Sequence, residues 1–168
     1  EYEQAGARIV YSPEEVFGRA DFLLKIARPV KEEIEWLRPG SMIAGLLHLA
    51  SARQDKIDLM LKNKITAIAY EDVEEEDGTT PIKKPLAEIG GRLTASIAAH
   101  YMQNYKGGKG ILLSGVPGVP PAEVVIIGGG VAGTAATRAF LGLGAHVTVL
   151  DMDLRALQRI SESFPQVV

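Results

Sequence analysis

Gly128, Gly130 and Gly133 stand in G-x-G-x-x-G spacing directly after an apolar run at 124–127, and Asp151 closes a second apolar run about twenty residues later. This spacing suits the diphosphate of a dinucleotide. The first glycine turns the chain sharply out of a strand, the second leaves the backbone bare for a pyrophosphate, and the third lets the following helix pack closely on the sheet. Val131 and Ala132 complete the loop where that helix begins, so its free amides and positive dipole face the anion. Asp151 is placed to accept hydrogen bonds from both adenosine ribose hydroxyls, and its charge disfavours a 2′-phosphate. The expected cofactor is NAD(H) rather than NADP(H), held by Gly128, Gly130, Val131, Ala132, Gly133 and Asp151. Without a ligand, the same residues would be a glycine-rich turn packing a helix on a sheet.

The elements needed to hold such a loop are legible along the chain. The 168 residues are 46% apolar, enough for a real core, and the net charge of −3 gives no basic stripe for a nucleic-acid backbone. Cysteine is absent, which excludes disulfides and thiolate metal sites. No secretory signal opens the chain, and its apolar runs fall short of the roughly twenty residues needed to cross a bilayer. A cytoplasmic location is expected, with no nucleic-acid partner and no membrane span in this segment.

A short strand is expected around Ile9 and Val10. Ser12-Pro13-Glu14-Glu15 reads as a helix start, with Ser12 as N-cap, Pro13 at the first helical position and Glu15 closing a capping box. Strands are expected at 22–26, 42–47 and 65–70. Between them lie a short helix after Pro29, carrying Ile34 and Leu37 inward, and a helix at 53–63 with Ile57, Met60 and Leu61 at helical spacing. Strands alternating with helices argue for a parallel sheet. Residues 71–77 hold six acids in seven positions and read as a solvated turn. From 85 to 105, Leu86, Ile89, Leu93, Ile97 and Tyr101 share one helical face, with Gly90, Gly91, Ala95, Ala98 and Ala99 allowing close packing beside it. After Asp151, Asp153 caps a last helix bearing Leu154, Leu157, Ile160 and Phe164. The fold class is therefore α/β, a Rossmann-like parallel sheet with helices, in two domains each partly present: an α/β domain at 1–84 and a connecting helix with a nucleotide-binding domain at 85–168.

In this order, LLKIARP (23–29), LLHLA (46–50), ITAIAYE (65–71), DGTTPIKKPLAEIGGRL (77–93), GGKGILLSGVPGVPPAEVVIIGGGVAG (107–133) and LGLGAHVTVLD (141–151) resemble the alanine dehydrogenase and pyridine nucleotide transhydrogenase family over essentially the whole chain. The resemblance implies a segment truncated at both ends and a two-domain oxidoreductase moving hydride between a nicotinamide and a small-molecule substrate. In its alanine dehydrogenase branch this is the reversible oxidative deamination of L-alanine to pyruvate and ammonia. The branch's catalytic histidine matches His48, whose near-neutral range suits proton exchange with the substrate. A homo-oligomer is also implied.

The departures keep other readings open. Alanine dehydrogenases read K-V-K-E-P where this chain has Lys25-Ile26-Ala27-Arg28-Pro29, so the family's substrate lysine is Ala27. Lys25 and Arg28 are the remaining candidates for binding a substrate acid. A family serine is replaced by Ala87, and Arg28-Pro29 and Pro120-Pro121-Ala122 look like transhydrogenases. The NAD(H)-binding portion of a proton-translocating transhydrogenase, with a membrane partner subunit, is thus a second reading, and a non-catalytic NAD-binding module a third. His100 and His146 read as packing or surface residues, and Trp36 as a core residue or an interface anchor. Histidine, aspartate and glutamate do not cluster at metal-ligand spacing, so no metal site is expected.

Overall fold

A computed structural model of the protein describes residues 1–167, which fall into two units, Glu1–Ile82 and Lys83–Val168. The first unit contains α1 (Pro13–Arg19), β1 (Phe22–Lys25), α2 (Lys31–Glu35), β2 (Met42–Gly45), α3 (Gln54–Lys62) and β3 (Thr66–Ala69). Ser12 caps α1 by accepting from the Glu15 N–H at 3.4 Å, with Pro13 at the helix start. The reciprocal half of the expected capping box is not formed, because the Glu15 carboxylate pairs with Arg19 one turn later. The strand expected at Ile9 and Val10 is also absent. Two apolar residues are too few to sustain a ladder, and Ile9 remains 44% exposed in irregular backbone.

The three strands form a parallel sheet in the order β1-β2-β3, with Lys25 opposite Gly45 and Gly45 opposite Ala69 at their carboxyl ends. Ile43, at the middle of the central strand, is fully buried and packs with Phe17, Leu23, Ile34, Leu37, Leu47 and Met60. Of the residues expected inward on α3, Met60 is buried and Leu61 is exposed, since the helix meets the core along a narrow stripe. Parallel register brings the segments after all three strands to one edge of the sheet. These segments carry Arg28, His48 and Glu71.

The second unit contains α4 (Lys83–Tyr101), β4 (Glu123–Ile127), α5 (Val131–Gly142), β5 (His146–Leu150) and α6 (Leu154–Ser163). β4 and β5 are parallel, with Ile127 opposite Leu150, so the glycine loop and Asp151 leave the sheet side by side. The core is Ala95, Leu113, Ala136, Phe140, Val147, Val149, Ile160 and Phe164 with smaller neighbours. α4 packs on α5 through its small residues: a Cβ at Gly91 would overlap the Ala132 carbonyl and press on Ala135. The larger side chains expected to share a face, Leu86, Ile89, Leu93, Ile97 and Tyr101, are all exposed within the chain. On α6, Ile160 is buried and Leu154 is exposed; Phe164, expected on this helix, is its C-cap and is also buried, and Asp153 caps the start by accepting from the Arg155 N–H at 2.9 Å. Among the described residues, no helix is long and apolar enough to cross a membrane.

Candidate active site

The glycine loop follows β4 without a break, the N–H of Gly128 donating to the Leu150 carbonyl at 2.7 Å and extending the ladder by one residue. Gly128 then adopts φ +103°, a conformation that L side chains rarely take. A Cβ at Gly133 would overlap the Gly128 carbonyl, so the loop closes against its own helix only because both positions are glycine. Gly130 precedes α5, and a Cβ there would meet nothing within 4 Å; that side of the loop is open. Thr134 ties the loop down, its hydroxyl donating to the Gly129 carbonyl at 3.1 Å.

Asp151 braces the loop from the neighbouring strand end. One carboxylate oxygen accepts from the Asp153 N–H at 2.8 Å and the other from the Gly129 N–H. These backbone donors, Asp153 first and Gly129 second, hold the Asp151 carboxyl below its ordinary range. Each oxygen keeps lone-pair capacity for a further donor. Beside the loop lies a groove of about 520 Å³ lined by Gly129, Gly130, Val131 and Thr134, with Lys84, Arg92, Arg138 and Arg159 outnumbering the single acid Glu88. Ala132 instead turns its carbonyl toward Gly91 of α4.

In the first unit, His48 lies just past β2 with φ 49° and ψ 47°, in the left-handed region. For a residue with a side chain this costs about 1–2 kcal/mol. Lys64, the other non-glycine residue with positive φ among the described residues, sits just past the C-cap of α3, where that conformation is ordinary. His48 has no such helix end. Its turn is fixed by neighbours: the backbone N–H donates to Glu71 Oε1, and the carbonyl accepts from the Ser51 N–H at 3.1 Å and the Ser51 hydroxyl at 3.3 Å. The ring Nδ1 lies 3.9 Å from Glu71 Oε1.

The two candidate substrate cations are placed differently. Lys25 Nζ is bound to Glu33 at 2.8 Å and lies 5.7 Å from the centre of the Phe17 ring, while the other oxygen of Glu33 accepts from the Val30 N–H at 2.8 Å. That lysine ties β1 to the start of α2. Arg28 instead reaches the His48 turn, its guanidinium donating to Ser51 Oγ at 3.0 Å. Ala27, at the substrate-lysine position of the resemblance, is exposed.

Glu71 was not singled out by its sequence, because it opens the acidic run at 71–77 and reads as solvated with the rest. Its side chain is only 13% exposed. Burial works against its charge, but the amides of Glu71 itself, His48 and Leu47, with the nearby imidazole, outweigh it and hold the carboxyl below its ordinary range. A local signal did exist: Glu71 is the first polar residue beyond the strand expected at 65–70. His146 pairs with Glu123 at 3.0 Å on the β4–β5 surface, and His100 packs edge-on against Tyr101.

Family models for the N-terminal and C-terminal domains of alanine dehydrogenase/PNT match residues 1–90 and 94–168. The alanine dehydrogenase of Methanococcus maripaludis is 44% identical over 164 residues, which is 98% of this chain and 44% of that protein. A solved L-alanine dehydrogenase superposes with a TM-score of 0.87 at 36% identity, over 99% of this chain and 46% of its own. The transhydrogenase from Sinorhizobium meliloti superposes with a TM-score of 0.74 at 25% identity, over 99% and 49%. The chain therefore spans about 44% of the length of the curated relative it matches.

Proposed function

This chain belongs to the alanine dehydrogenase/PNT family, and on that premise we propose that the protein containing it is an NAD-dependent alanine dehydrogenase, converting L-alanine reversibly to pyruvate and ammonia. The observation that carries this reading is the 44% identity to the Methanococcus maripaludis enzyme across both units. The nicotinamide, when bound, supplies the hydride acceptor. Gly128, Gly130 and Gly133 would hold its diphosphate arm near the start of α5, where free amides and the cations lining the groove favour an anion. The remaining lone pairs of Asp151 would accept from the ribose hydroxyls. We assign the substrate part to the first unit and the cofactor part to the second.

His48 exchanges protons with the substrate. As base it takes a proton from the amine or from the attacking water during imine hydrolysis, and as acid it returns one in the reverse direction. Arg28, turned toward His48 through Ser51, supplies the cation for the substrate carboxylate that Ala27 cannot. Lys25 acts indirectly, by anchoring α2 through Glu33.

The test is NADH formation from L-alanine and NAD by the full-length protein. Absence of NADH formation overturns the assignment. Hydride transfer from NADH to an NADP analogue would favour the transhydrogenase reading, which the Arg28-Pro29 sequence supports. NAD binding without either activity would mark a non-catalytic module. We further propose that the active form is a homo-oligomer.

A further inference from the structure

We propose that Glu71 is a positioning residue for His48: its carboxylate accepts from the backbone N–H of the histidine and from the ring Nδ1–H, leaving the Nε2 lone pair bare to exchange a proton with substrate. This rests on the reading of His48 as the acid–base group. The carboxylate already receives the His48 N–H, and the ring Nδ1 stands 3.9 Å from the same oxygen. The second oxygen, Glu71 Oε2, is buried with no geometric hydrogen-bond partner among the described residues. A buried acceptor is costly to leave unmade, which favours a ring oriented with its donor toward Glu71.

The left-handed backbone of His48 supports the same role. No glycine occupies the position, and the turn is instead held by Glu71 on its amide side and Ser51 on its carbonyl side. Of the other charges at this edge, Arg28 is bound to Ser51, Lys25 is paired with Glu33, and Lys56 Nζ donates to the Pro29 carbonyl at 3.0 Å. Among the described residues, the carboxylate recorded against the imidazole is that of Glu71. In the proton step, the Nε2 lone pair takes a proton to give imidazolium, whose Nδ1–H remains with Glu71; the reverse step returns the Nε2 proton and leaves the ring neutral.

The test is ¹H–¹⁵N spectroscopy of the ring nitrogens through a pH titration of the chain, with His48→Gln for assignment and His100 and His146 as internal references. Neutral His48 is expected as the Nδ1–H tautomer, whereas free imidazole in proteins and peptides favours Nε2–H. Glu71→Gln keeps an acceptor for the backbone N–H and removes the charge that favours Nδ1–H, so neutral His48 should shift toward the Nε2–H tautomer while the references hold still. An Nε2–H tautomer in the wild type, or an unchanged Nδ1–H population in Glu71→Gln, overturns the proposal. If the variant does not fold, the wild-type tautomer decides alone. Because no substrate is present, failure to oxidise L-alanine with the Nδ1–H tautomer intact would count against the enzymatic reading and not against this one.

Discussion

The turn after β2 and the turn after β4 solve one problem with different residues. Each leaves a parallel strand through left-handed backbone, and each has an amide held by a carboxylate from the end of the adjacent strand: Glu71 for His48, Asp151 for Gly129. After β4 the left-handed position is Gly128, and the turn keeps no side chain because a ligand backbone must approach it. After β2 the position is His48, and the turn keeps its side chain at the cost of strain. A fold can therefore use the same bracing for a loop that binds through its backbone and for one that acts through a side chain.

Breaking the glycine side of this comparison should have the largest effect. In Gly133→Ala the new methyl meets the Gly128 carbonyl, so the loop must open; we expect loss of about 3 kcal/mol of stability in urea unfolding and no NAD binding measurable by calorimetry. His48→Gly separates strain from chemistry on the other side. Stability should rise by up to about 1 kcal/mol, while L-alanine oxidation by the full-length protein falls at least about 100-fold. Reduced stability in that variant would mean that the turn carries no strain.

Glu71→Ala tests the brace itself. It leaves the His48 amide without its acceptor and should cost about 1–2 kcal/mol in urea unfolding. Asp151→Asn should have the smallest effect, and one confined by pH. Because the folded Asp151 carboxyl lies below its unfolded value, its contribution is present above about pH 4 and is lost as pH falls through the folded value. The stability difference between wild type and Asp151→Asn should therefore shrink on acidification. A difference that grows toward low pH would show that the carboxylate does not brace the loop.

How much could be read in advance depended on the range of the interaction. The cap at Ser12 was legible because donor and acceptor are three residues apart, but the destination of the Glu15 carboxylate was not, since Arg19 offered a competing partner one turn away. The face of α4 was visible as a periodic stripe. Its packing surface was instead the small-residue side, where Gly91 admits the backbone of α5. Lys25 and Arg28 looked equivalent as cations near a strand end, and only the placement of Glu33 and Ser51 distinguished the anchored one from the one at the His48 turn.

The sequence by itself determined the glycine loop, because glycine spacing encodes a local backbone path that few other residues allow. Its resemblance to the family also drew attention to His48 and to Ala27 at the family's lysine position. The pairing of His48 with Glu71 was decided by tertiary structure alone. Those residues lie 23 positions apart, and Glu71 is one acid in a run of six until the parallel register of β2 and β3 carries it out of solvent and against the histidine's amide.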